Sequence, residues 1–151
     1  ALALAACAPV KMYEGPELPP GKTALITPMG PLDHFARRSG WGKLLGQAAS
    51  LQVQEFDGKK PETDYINGIR ARPGRHVLAV NLHSCGSTPI FVRDTVIYVP
   101  SDCDSTPTRD IAFDAEAGRR YLVLGLSVSG GQAYWIEDQE TGQVVAGRKP
   151  E

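Results

Sequence analysis

A chain of 151 residues, 42% hydrophobic and 22% charged, has room for one domain with a single core and the composition of an ordinary globular protein. Its net charge of -1 gives no electrostatic case for a nucleic-acid partner or for a polybasic membrane surface. The 16 Gly and 12 Pro suit many turns between short strands better than long helices, and no apolar run approaches the roughly 18–20 residues of a membrane-spanning helix.

Residues 1–6 (Ala-Leu-Ala-Leu-Ala-Ala) are small, apolar and uncharged, and they stop at Cys7. They look like the end of a secretory signal peptide. Leu4-Ala5-Ala6-Cys7 resembles the lipobox of bacterial lipoproteins, in which a Leu and two small residues precede a cysteine. The resemblance implies cleavage before Cys7, a diacylglyceryl group on its thiol and an acylated amino terminus. Two such chains already give stable membrane attachment. Ala8 in place of an Asp implies, by the same resemblance, sorting to the outer membrane, with the domain facing the periplasm. The other reading of Cys7 is a buried free thiol on an apolar N-terminal strand.

Residues 7–22 then read as the lipidated cysteine and an extended tether, because the four prolines and two glycines among residues 8–22 favour polyproline-like conformations. The folded domain is expected over residues 23–147, with 148–151 a C-terminal tail. Thr23–Thr27 is a short strand closed by Pro28. Residues 31–49 form a short helical or irregular insertion, since Leu32, Phe35, Ala36, Leu44, Leu45 and Ala48 hint at helical turns that Gly40 and Gly42 interrupt.

From residue 50 the pattern is β. Ser50–Phe56 alternates polar and apolar, and Asp57-Gly58 supplies a hairpin turn. Tyr65–Ile69 leads into a turn at 72–76. Val77–Leu82 places Leu78, Val80 and Leu82 on one face. Ile90–Val92 and Thr95–Val99 follow, the second stopped by Pro100. Asp110–Asp114 directs Ile111 and Phe113 together, and Arg120–Leu126 is the most apolar strand. Ala133–Asp138 and Gln143–Ala146 make a last hairpin. Short strands with turns every 8–12 residues argue for an all-β fold, a small antiparallel β-sandwich. Phe113 and Tyr121 are expected to face each other across the hairpin turned at Ala117-Gly118.

Four segments carry a further resemblance: Met12-Tyr13-Glu14-Gly15-Pro16, Arg72-Pro73-Gly74-Arg75-His76, the stretch from Phe113 to Tyr121, and Trp135-Ile136-Glu137-Asp138. Together they resemble a group of small proteobacterial lipoproteins. The resemblance covers most of the chain apart from residues 27–49 and 83–107, and it implies a periplasmic β-sandwich without a known chemistry.

With Cys7 assigned to the anchor, Cys85 and Cys103 remain as an even pair in an oxidising compartment and read as a disulfide. The alternatives are two free buried thiols, or a metal pair with His83. One ligand cluster falls short of the two that structural zinc sites normally show. Asp102, Asp104 and Asp110 lack the spacing of a calcium loop. His34, His76 and His83 are the only histidines, and no serine sits in a nucleophile elbow. His76 is either a pH-sensitive or binding residue or a strand residue whose ring bonds backbone. Tyr134 and Trp135 must point to opposite faces of one strand. One is therefore core, and Trp135 is a candidate aromatic for a partner. The expectation is a non-enzymatic, lipid-anchored envelope protein that needs no cofactor, contacts the membrane through its anchor and assists other envelope proteins. Its alternative is a periplasmic ligand- or metal-binding module built on residues 83–110.

Overall fold

The computed structural model describes residues 8–29, 49–61, 67–128 and 131–151. Cys7, the signal-peptide remnant and residues 31–48 of the expected insertion lie outside them. Ten strands occur in chain order: β1 (Val10–Lys11), β2 (Ala24–Met29), β3 (Ala49–Phe56), β4 (Ile69–Ala71), β5 (Gly74–Val92), β6 (Thr95–Ser105), β7 (Arg109–Ala115), β8 (Arg120–Val128), β9 (Gly131–Asp138) and β10 (Val144–Gly147). No α-helix occurs among the described residues. A single 3-10 turn, Pro20–Lys22, leads into β2.

The strands form two sheets, as the all-β sandwich reading requires. One has six strands in the order β1-β4-β2-β8-β9-β10. In the other, β5 is flanked by β3 on one side and by β7 and then β6 on the other. The first sheet is mixed rather than purely antiparallel, because β1 runs parallel to β4 and β2 parallel to β8. Strand β2 also runs through Pro28, which pairs with Val123. The missing N–H is tolerated there because β4 pairs only with residues 24–26, leaving Pro28 a neighbour on one side.

Alternation along each strand builds the core. Ile26, Ile69, Val123 and Ile136 of the first sheet meet Leu78, Val80, Leu82 and Phe113 of the second, all at most 2% exposed. Burying an aliphatic or aromatic side chain of this size contributes about 1.5–3 kcal/mol. In β3 the alternation is Leu51, Val53, then Phe56, which skips a residue. A register shift between Val53 and Glu55 inserts Gln54 as the extra residue and turns Phe56 back to the core. Gln54 Nε2 donates to Gln52 Oε1 and Asn81 Oδ1 on the outer face. Phe113 and Tyr121 do touch edge-to-face, with ring centroids 5.3 Å apart, but not as a cross-strand pair. Their strands belong to different sheets, so the contact runs across the core.

The segment after Ala8 lies along the domain instead of standing off as a tether. Val10 N donates to Gly68 O and Met12 N to Arg70 O, while Met12 packs against the core. Tyr13 is covered by Lys11 and Arg72, 4.9 and 5.7 Å from its ring centre. Apolar contact and edge hydrogen bonds outweigh the polyproline preference of the intervening prolines.

Candidate functional site

Strand β5 is 19 residues long, about 60 Å at a strand's rise per residue. Its first half, Gly74–Asn81, is flanked by β3 and β7. From Cys85 onward its one described neighbour is β6, and the pair leaves the sandwich as a two-stranded arm closed by the turn Arg93-Asp94. Residues 83–89, expected as a connection, continue β5, and β6 runs through Pro100 instead of ending there.

The register fixes the arm's faces. Ile90 pairs with Ile97, Val92 with Thr95 and Thr88 with Val99, while Phe91 pairs with Val96 and Pro89 with Tyr98. Opposed residues share a face, so Ile90, Val92, Ile97 and Val99 lie on one side and Phe91 and Val96 on the other. All six are exposed: Phe91 by 75% and the others by 39–49%. Together they present on the order of 500 Å² of apolar surface, within the range in which a monomer's largest patch is often functional.

The prolines follow from the same register. Val92 and Thr95 flank a two-residue turn and so form a hydrogen-bonded pair, which makes Phe91–Val96, Pro89–Tyr98 and Ser87–Pro100 alternately non-bonded, non-bonded and non-bonded positions two apart. At such positions the N–H points out of the ladder. Pro89 and Pro100 therefore remove one outward donor from each long edge of the arm, as edge strands commonly do against unwanted pairing.

At the base of the arm, Cys85 and Cys103 are direct partners in the ladder. His83 pairs with Ser105, its Nδ1 2.8 Å from Ser105 Oγ. Thr106 ties the arm to the body: its hydroxyl accepts from Leu82 N at 2.9 Å and lies 2.9 Å from Tyr134 Oη on the opposite sheet. Among the described residues, no three His, Cys, Asp or Glu side chains converge as metal ligands would. Residues 83–110 are two arm strands, a short connection and the start of β7, without a concave polar site among the described side chains.

The other residues singled out by sequence serve the fold. His76 Nδ1 is 2.7 Å from Asp57 Oδ2 and its Nε2 2.7 Å from the Arg72 carbonyl, while its ring lies 4.9 Å from Phe56. It thereby clamps the turn at 72–74 to the β3 turn, where Asp57 also accepts from Val77 N. Trp135, expected as an exposed aromatic, is buried at 5% on the outer face of the first sheet with Leu124. Its indole N–H donates to Glu137 Oε1, which Lys149 also holds at 2.8 Å. Asp138 caps the last hairpin by accepting from Glu140 N and Thr141 N. These bonds, the one from Thr141 above all, hold its carboxyl below the usual carboxylate range despite opposing burial, with help from Arg119.

A groove of about 520 Å³ beside β1 is lined by residues 8–14, Lys59 and Lys60, with Lys59 ion-paired to Glu14 at 3.4 Å. A shallower cleft of about 340 Å³ separates β7 from β10. Neither brings together groups in hydrogen-bonded catalytic geometry, so the arm is the surface that stands out. Comparison with protein-family models, curated proteins and solved structures finds no match for the chain.

Proposed function

We propose that this chain is a lipid-anchored protein of the bacterial envelope, held at the outer membrane by Cys7 and acting without catalysis as an assembly partner of other envelope proteins. The anchor rests on Leu4-Ala5-Ala6-Cys7. The assembly role rests on one structural observation, an arm that displays apolar side chains on both faces. A surface of that kind gains free energy by being covered. Because the chain joins the first sheet at Val10, an anchor at Cys7 would hold the domain close to the bilayer rather than at the end of a long leash.

Labelled palmitate fed to cells should enter the wild-type protein and be absent from Cys7→Ser. Equal labelling of the two would end the anchor reading.

A Cys85–Cys103 disulfide belongs to the same reading. Directly opposed residues in an antiparallel ladder have Cα atoms about 4.5–5.5 Å apart, inside the window for a disulfide. The Cys103 side chain is engaged rather than free. The bridge would close a loop consisting of the arm itself, worth about 3 kcal/mol against the open chain in the chain-entropy account. Mass spectrometry of protein prepared without reductant should recover a peptide joining Cys85 to Cys103, and full alkylation of both thiols would remove the bridge from the proposal.

A further inference from the structure

We infer that the arm docks on the same arm of a second copy of this chain. The inference rests on the assembly role proposed above and names the partner.

The arm's chemistry argues against a lipid occupant. Its two long edges, residues 85–92 and 95–103, have no described strand beyond them, and open sheet edges do not occur in hydrocarbon. The leading end is the charged turn Arg93-Asp94. The exposed apolar stretch from Ile90 to Val92 on β5 is far shorter than the roughly nine to eleven residues of a membrane-spanning strand. A strand added to either edge fits poorly as well, because Pro89 and Pro100 leave each edge without a donor where a new strand would need one. What remains is a protein surface packed on the faces.

A second copy supplies that surface. A two-fold contact uses one patch on both subunits, so the patch must complement itself. The side bearing Ile90, Ile97, Val92 and Val99 is uniformly aliphatic and suited to interdigitate with its own copy. Of the nine large hydrophobic side chains exposed among the described residues, six are on the arm, and the other three, Val77, Val144 and Val145, belong to β5's first half and β10. The chain thus offers no other comparable apolar face for an arm to meet. Two arms together would cover about 1,000 Å², the lower bound of a specific interface, which makes the dimer a reversible one. A net charge of -1 sets little repulsion between copies.

The test is sedimentation velocity on the full chain carrying Cys7→Ser, which removes acylation and intermolecular thiol exchange from the readout. A reversible monomer–dimer equilibrium is expected in the micromolar range. Phe91→Lys and Ile97→Lys, on opposite faces of the arm, are made separately. The one on the contact face should raise the dimer dissociation constant at least about tenfold, while both retain the wild-type circular dichroism and denaturation midpoint. A monomer at every concentration overturns the inference, as does a dimer unaffected by either change. Flotation of the Cys7→Ser chain with phosphatidylcholine vesicles, lost in Phe91→Lys, would assign the arm to lipid and overturn it too. A monomer that still captures another envelope protein through Phe91 would overturn self-association while leaving the assembly role standing.

Discussion

The two halves of β5 are one continuous strand with opposite fates. Between Leu78 and Leu82 the alternate residues Leu78, Val80 and Leu82 are at most 2% exposed, whereas Ile90, Phe91 and Val92 are all at least 45% exposed. Intrinsic strand preference does not separate them, since both stretches are rich in β-branched and aromatic residues. The difference is what lies opposite. The first half has the six-stranded sheet across the core, and the second half has only β6 beside it. Burial here is a property of layering, and a strand that outruns its partner sheet keeps its hydrogen bonds while losing its cover.

Truncations in the two halves break this comparison most directly. Phe113→Ala removes a ring that is 2% exposed and meets Tyr121 across the core, so it should cost about 3–5 kcal/mol in urea denaturation. A wild-type midpoint for that variant would mean the core does not lie between the two sheets. Next in size is Gly147→Ala. Gly147 has φ +74°, and a Cβ there would collide with the Tyr134 carbonyl and lie 2.8 Å from Trp135 Cα. Backbone must move, at a cost of about 1–3 kcal/mol. Loss of β10 pairing, seen as fast amide exchange at Val144 to Gly147, would accompany it.

Asp138→Ala should cost about 1–2 kcal/mol through two lost backbone hydrogen bonds to a charged acceptor. Because the folded-state carboxyl ionises more readily than the unfolded one, its contribution is present above the ordinary aspartate range near pH 4. It disappears as pH falls through the lowered folded value. The wild-type midpoint should therefore decline below about pH 4 more steeply than that of Asp138→Asn. Parallel pH profiles would contradict the assignment. The smallest effect belongs to the arm: Phe91→Ala should stay within about 0.5 kcal/mol of wild type at concentrations where the protein is monomeric.

Much of the body was legible because its strands obey a simple period. Leu78, Val80 and Leu82, or Ile111 and Phe113, alternate with exposed or smaller residues, and turns at Asp57-Gly58 and Ala117-Gly118 carry the residues that positive φ favours. Pairing partners were less legible. Nothing local in Phe113 and Tyr121 reveals that the chain crosses from one sheet to the other between them, and the parallel pairing of β2 with β8 joins residues almost a hundred positions apart. The arm was the hardest to see. A short continuous apolar run such as Ile90-Phe91-Val92 ordinarily signals a strand buried on both faces, and the same run serves a strand exposed on both. Trp135 escaped for the converse reason: its outward direction is readable from the alternation, but its cover is not.

The continuity of β5 also has a mechanical meaning. Any load applied to the arm tip along its length enters the domain through the strand that lies between β3 and β7. A pull of that kind strains the ladder bonds from Gly74 to Ser84 together, in shear, instead of unzipping them one after another from an end. The arm is therefore seated at the place in the fold where a tensile force is shared most widely, and the sandwich can resist being drawn out through its own partner contact.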